Sequence, residues 1–174
     1  TVNKVMTQLA KAGLVERTRK AGTFVRTPRA QAAVLELHGI EAEVETLGLP
    51  YGYELLSRTQ RQAALDDARF IDVPRNTPLL ELLAVHRAGE LPFCVEERRI
   101  NVAAVPEAQT ADFAQHAPGG WLIAQVPWTT AENHIQAAPA SSEIAQLLGV
   151  ARGTACLVVE RRTWSHNGPV TFVR

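Results

Sequence analysis

Apolar positions at the start of the chain recur with the period of a helix. Val2, Val5, Met6 and Leu9 fall at i, i+3, i+4 and i+7, which puts them on one face. Gly13 stops that helix as a C-terminal cap. The segment 14–17 (LVER) then reads as a short strand, 18–22 (TRKAG) as a basic turn and Thr23-Phe24-Val25 as the returning strand. Residues 28–31 are a short linker, and residues 29–47 read as helix with a break near His38-Gly39.

Beyond that point the pattern repeats. Displaced by 77 positions, residues 71–97 lie on residues 148–174 without a gap, matching Val73 to Val150, Arg75 to Arg152, Thr77 to Thr154, Leu80 to Leu157 and Pro92 to Pro169. Upstream, the helical QAALDDARF meets PASSEIAQL, and the strand-like YELLSR meets TAENHI. Each copy reads as strand, helix and a hairpin of two strands, turning at Ala88-Gly89-Glu90 and again at 165–168 (SHNG). Two β-α-β-β copies predict an α+β domain around a mainly antiparallel sheet of about six strands, with the helices on one side. The first copy continues to Asn101 and the second stops at Arg174, so the last strand is expected to be cut short.

Charge changes this picture. Across 174 residues, 18 Lys and Arg balance 18 Asp and Glu, which taken whole argues against nucleic acid as a partner. Residues 1–31 carry seven basic residues and one acid, a net +6, and residues 32–174 carry the compensating −6. A basic head on an acidic body is the asymmetry of a DNA-binding part joined to something else. A helix running into a basic two-stranded ribbon is the second half of a winged helix-turn-helix, with the helix in the major groove and the wing on the backbone or minor groove. The longest apolar run, residues 122–128, is interrupted by Gln125 and Pro127 and falls well short of the roughly 20 residues of a membrane span. No signal-peptide pattern opens the chain, and cytoplasmic location without a membrane partner is expected. Cys94 and Cys156 sit in apolar runs and read as buried free thiols, and the five histidines lack metal-ligand spacing, so no metal or cofactor is expected.

The head resembles the DNA-binding domain of the GntR family of bacterial repressors. In that family a T-V-x-x-A-L-x-x-L-x-x-x-G-L-L pattern runs into a wing ending G-T-F-V, as TVNKVMTQLAKAGLVER runs here into Gly22–Val25. The resemblance implies that Thr1 and Asn3 face bases or phosphates, that Lys4, Arg19 and Lys20 contact phosphates, and that Gly22 shapes the wing. Two departures matter. Lys20 stands where the wing usually has a second glycine, and the two helices that precede the recognition helix in the family are not in this chain. The chain is therefore expected to be part of a longer protein and to bind DNA poorly as it stands.

The body, residues 32–174, resembles the UTRA effector-binding domain of the HutC branch of that family, which is similar in fold to chorismate lyase. The matching segments are PRAQAAVLELHGI, LLAVHRAGELPFCVEERRIN, PWTTAENHIQA and CLVVERRTWS, in this order behind the wing. On residues alone, the polar pair His86-Arg87 in one strand and the run Glu96, Glu97, Arg98 and Arg99 in its return strand have two readings: cross-strand salt bridging at a sheet edge, or pairs that grip a small polar ligand. The resemblance favours the second. Glu96 takes the position of a ligand-binding Glu. His86 takes a position that is Arg in sugar-phosphate-sensing relatives and His in the histidine-utilisation branch. His38, Gly39, Ile40 and Glu41 fall where those relatives bring backbone N–H groups to an anion.

Arg98, Arg161 and Trp164 are further candidates from the two hairpins, and Trp121 or Trp164 could stack on a ring. The effector of the histidine-utilisation branch is urocanate, an imidazole joined to a carboxylate. The resemblance thus implies a ligand-responsive, homodimeric repressor acting on operator DNA. The competing readings are an enzyme of chorismate-lyase type using Glu96, Arg98 and Arg161, or a regulator of the same type sensing a different small metabolite, and a weaker one is a Cys94–His86 nucleophilic pair.

Overall fold

The computed structural model describes the backbone of residues 15–18 and 22–25, and residues 39–174 in full. The chain divides into two units, residues 1–37 and 38–174. In the first, β1 (Val15–Thr18) and β2 (Gly22–Val25) pair antiparallel with Val15 opposite Val25 and Thr18 opposite Gly22, which is the expected two-stranded ribbon. The helix expected at residues 2–9, its cap at Gly13, the linker at residues 28–31 and the site candidates Thr1, Asn3, Lys4, Arg19, Lys20 and His38 lie outside the described residues.

The second unit runs α1 (Ile40–Thr46), β3 (Tyr51–Gln62), β4 (Pro78–Ala88), β5 (Leu91–Asn101), α2 (Pro118–Gln125), β6 (Trp128–Pro139), α3 (Ser142–Leu148), β7 (Ala155–Ser165) and β8 (Gly168–Val173). The six strands from β3 onward form one antiparallel sheet in the order β3-β4-β5-β8-β7-β6. That order reads alike from either edge, because each repeat supplies three consecutive strands and the two meet at their last strands. The 77-residue offset carries β3 onto β6 and β4 onto β7 residue for residue.

The correspondence extends to single hydrogen bonds. Ala63 N–H donates to Thr77 O, and Ala140 N–H to Thr154 O, both at 2.8 Å. Thr77 Oγ1 donates to Pro74 O, and Thr154 Oγ1 to Ala151 O, both at 2.7 Å. The turn residue before each is left-handed, Asn76 with φ 68° and Gly153 with φ 84°, a conformation that Asn and Gly tolerate best.

Two expectations are corrected. The helix expected in QAALDDARF is a single 3₁₀ turn, Leu65–Arg69. β3 continues through Gln62, and the Asp67 carboxylate accepts the Ala64 N–H at 2.8 Å while held by guanidinium groups beneath it, so the segment closes as a tight turn. The copy in the second repeat is a true helix, capped by Ser141 Oγ at its start and by Gly149 at φ 66° at its end. Second, helices and turns cover both faces of the sheet, because residues 102–121, an insertion between the repeats, fold onto the face opposite Asp67.

Each face has its own core. On the front, Leu80, Leu82, Ile100 and Val170 pack with Val102, Val105, Phe113 and Leu122. On the back, Leu79 and Phe172 pack with Ala63, Ile71 and Val73, and Phe70 lies against Phe172 with ring centroids 5.3 Å apart. The back face also carries a closed ion network. Arg61 binds Asp67 at 2.6 Å and Glu81 at 2.5 Å, and Arg99 binds Glu81 at 3.1 Å while stacking over Phe70 at 4.4 Å. These hydrogen bonds hold the carboxyls of Asp67 and Glu81 below their usual range. Among the described residues no helix is long and apolar enough to cross a membrane.

Asp67 is buried and serves both guanidinium groups and a backbone N–H. Replacing it with Ala is expected to destabilise the domain by about 3 kcal/mol, the scale of an opened buried ion pair. Urea denaturation of Asp67→Ala beside wild type measures this, and a loss under about 1 kcal/mol would count against the network's role.

Candidate functional site

Strand register decides which charges share a face. Arg98 and Arg161 both pair with Val173, so the three form one row across β5, β8 and β7 and point the same way. Two strand spacings separate the arginines, about 10 Å at the backbone, within reach of long side chains. Along β5 the alternation brings Cys94, Glu96 and Arg98 to this front face, and His86, the partner of Cys94 in β4, joins them. Tyr53 of β3 sits opposite His86.

The result is a polar cluster in a dry setting. His86 is 1 % exposed, Glu96 4 % and Arg98 8 %. Arg98 Nε donates to Glu96 Oε1 at 2.7 Å. His86 Nδ1 shares a hydrogen bond of 2.8 Å with Tyr51 Oη. On its other side His86 Nε2 lies 3.4 Å from Glu96 Oε2 but off the line a hydrogen bond requires, and it finds no partner among the described residues. Tyr53 Oη is likewise buried without a partner among the described residues, its ring 5.2 Å from that of His86. Two orphaned polar atoms beside one buried carboxylate are costly unless something completes them.

Electrostatics follow from this packing. Burial alone would raise the Glu96 carboxyl, but the Arg98 charge, with the nearby imidazole, outweighs it and lowers the value from 4.5 to about 2. Burial and Glu96 push the Tyr53 hydroxyl up to about 12. Burial and the Arg98 charge lower Arg161 to about 10, and its Nε donates to Asn133 Oδ1 at 3.0 Å. Cys94 and His86 are cross-strand neighbours, but burial and then Glu96 push the thiol up to about 12. A thiol so far from ionisation is no nucleophile at neutral pH.

The other candidates are placed as follows. Gly39 is exposed and precedes α1, and Ile40 opens that helix. Trp121 lies on α2, edge-on to Phe113 with centroids 5.3 Å apart, as part of the front core. Trp164 is half-buried on β7 beyond a register shift, opposite Thr130 and Pro169. Gly22 opens β2 in the other unit. Tyr51 and Tyr53 were not singled out in the sequence, although their spacing of two in a strand beside His86 carries the signal. The nearness of α2 was not legible either: a Cβ on Gly119 would lie 3.5 Å from Arg98 Nη2. Among the described residues no group of three His, Cys, Asp or Glu side chains is arranged to hold a metal ion.

The family profile of the UTRA domain matches residues 46–174. Over its whole length the chain is 31% identical to the histidine utilization repressor of Pseudomonas putida, spanning 70% of that protein. It is 32% identical to the repressor of the same name from Klebsiella aerogenes, spanning 72% of it. Among solved structures, the C-terminal domain of the histidine utilization repressor from Pseudomonas syringae pv. tomato superposes with a TM-score of 0.66 at 27% identity, covering 71% of this chain and 88% of that one.

A carboxyl held low in the folded state stabilises the fold above its unfolded value, and that contribution is lost as pH falls through the folded value. The stability difference between wild type and Glu96→Gln is therefore expected to be largest above about pH 5 and to shrink between about pH 4.5 and 2. Guanidinium denaturation across that range tests it, and a pH-independent difference would contradict the assignment.

Proposed function

The chain belongs to the UTRA-domain family, and from that premise we propose that it is the sensor, with part of the DNA-binding head, of a repressor of histidine-utilisation genes whose effector is urocanate. The relatives are transcriptional repressors by name, which supports reading the body as a sensor rather than an enzyme. The observation that carries the ligand reading is the buried Glu96 carboxylate flanked by His86 Nε2 and Tyr53 Oη, neither of which has a partner among the described residues. Urocanate supplies what they lack. Its ring N–H donates to Glu96 Oε2, its second ring nitrogen accepts from Tyr53 Oη or meets His86, and its flat system can stack on Trp121 or Trp164. Its carboxylate meets guanidinium or amide donors.

The head, through Thr1, Asn3, Lys4, Arg19, Lys20 and Gly22 together with the rest of a complete winged helix-turn-helix, contacts operator DNA. A homodimer matches a two-fold operator. Effector and operator affinities are then linked reciprocally: a ligand that prefers one arrangement of the dimer shifts DNA affinity by the same factor that DNA shifts its own.

Thermal unfolding with urocanate, L-histidine and glucosamine 6-phosphate side by side tests the effector. A ligand at about 100 times its Kd stabilises by about 2.7 kcal/mol, and only urocanate is expected to do so. Glu96→Ala, checked for folding by circular dichroism, is expected to weaken urocanate at least about tenfold in calorimetry, one charged hydrogen bond's worth. Unchanged affinity would remove Glu96 from the site.

A further inference from the structure

We propose that the anionic end of the effector is held where α2 begins, by Arg98, Arg161 and the backbone amides of Gly119 and Gly120, and that this end selects a monoanion. The inference rests on the effector reading above and adds which end of the pocket takes the charge.

Two short helices are candidates for the anion, and their sequences separate them. α1 has seven residues, with Glu41 and Glu43 in its first turn. Those carboxylates set a negative field where an anion would have to sit. α2 has no acidic residue in its first turn and no side-chain cap. Pro118 contributes no N–H, so the amides of Gly119 and Gly120 are the first donors of the helix, and neither has a partner among the described residues. A Cβ at Gly120 would meet nothing within 4 Å, so the ground beside these amides is open.

The guanidinium that reaches this place is itself incomplete. Arg98 is more than nine-tenths buried, and its Nε is spent on Glu96. Among the described residues neither terminal nitrogen finds an acceptor, and Nη2 lies 3.5 Å from where a Cβ on Gly119 would stand. A guanidinium on a largely buried side chain and two free helix amides, with no acceptor between them, form a set of donors suited to a negatively charged acceptor.

Charge balance then sets its valence. Glu96 neutralises Arg98. Arg161, on the same row, bonds to the neutral Asn133 and to no carboxylate among the described residues. One positive charge is left over. A monocarboxylate balances it, a dianionic phosphate leaves an excess negative charge, and a zwitterionic amino acid brings an ammonium toward two guanidinium groups. Tyr53 Oη and His86 Nε2 remain for the uncharged end.

Calorimetry of the 174-residue chain with urocanate and with its neutral methyl ester, on wild type, Arg161→Gln and Arg161→Lys, tests this. Wild type is expected to prefer urocanate to the ester by at least about tenfold. Arg161→Gln is expected to lose most of that preference by weakening urocanate alone, with the ester changed by less than about threefold. Arg161→Lys keeps the charge and should stay within about threefold of wild type for both. Equal losses for both ligands in Arg161→Gln, or none, would overturn the inference while leaving the effector reading intact. Failure of wild type to bind either ligand would overturn both.

Discussion

The pairing of β5 with β8 is the narrowest joint in the sheet, since only Arg98–Val173, Arg99–Phe172 and Ile100–Thr171 stand opposite each other there. Reciprocal bonds of 2.8 Å between the backbones of Glu97 and Arg174 extend it by one step. Because side chains alternate, this register sends Arg98 to the front beside Glu96 and Arg99 to the back beside Glu81. A slip of one residue would exchange them, burying the wrong charge on each face. The register also sets Arg161 in the same row as Arg98, although they lie in different repeats. Site and scaffold thus depend on the same few backbone bonds.

The two faces treat charge in opposite ways. On the back, Asp67 and Glu81 are shared between Arg61 and Arg99, and the Arg99 guanidinium rests on two phenylalanine rings. Both carboxylates there have their donors, so the network is finished and reads as scaffold. On the front, Glu96 has one full partner in Arg98, while His86 Nε2 and Tyr53 Oη have none among the described residues. Burying a polar group unpaired costs on the order of 1–3 kcal/mol. The front cluster therefore carries a cost that the back network does not. The contrast separates the two clusters better than charge or burial, which they share.

Much of this architecture is visible in the residues because the repeat exposes it twice. Thr77 and Thr154, or Ala63 and Ala140, announce equivalent turns, and the two hairpins fall where Gly89 and Gly168 predict. Glu96, His86, Arg98 and Arg161 stand out as charges inside apolar strands. Other features depend on three-dimensional neighbours and leave little trace. The 3₁₀ turn at Leu65–Arg69 arises because Asp67 is held by guanidinium groups from two strands. The helix at Pro118–Gln125 begins with Pro-Gly-Gly, which reads as loop, and packing of Trp121 and Leu122 on the front core overrides that preference. Tyr53 is an ordinary strand tyrosine in sequence, and only the register opposite His86 makes its hydroxyl matter.

The crossed arrangement of the repeats also governs how the chain finds its shape. Within each repeat the strands are sequence neighbours, and the last two are joined by a hairpin of two residues, Gly89-Glu90 or His166-Asn167. Those contacts close short loops, whose closure costs little entropy. The joint between Arg98 and Val173 instead closes a loop of about 75 residues, and Arg162 donates across it to Phe70 O at 2.7 Å. Neither half has an inner partner for its last strand until the other has formed, and the β5–β8 joint is the contact that closes the long loop between them. The polar cluster on the front face spans both, and it is complete only once that joint is made.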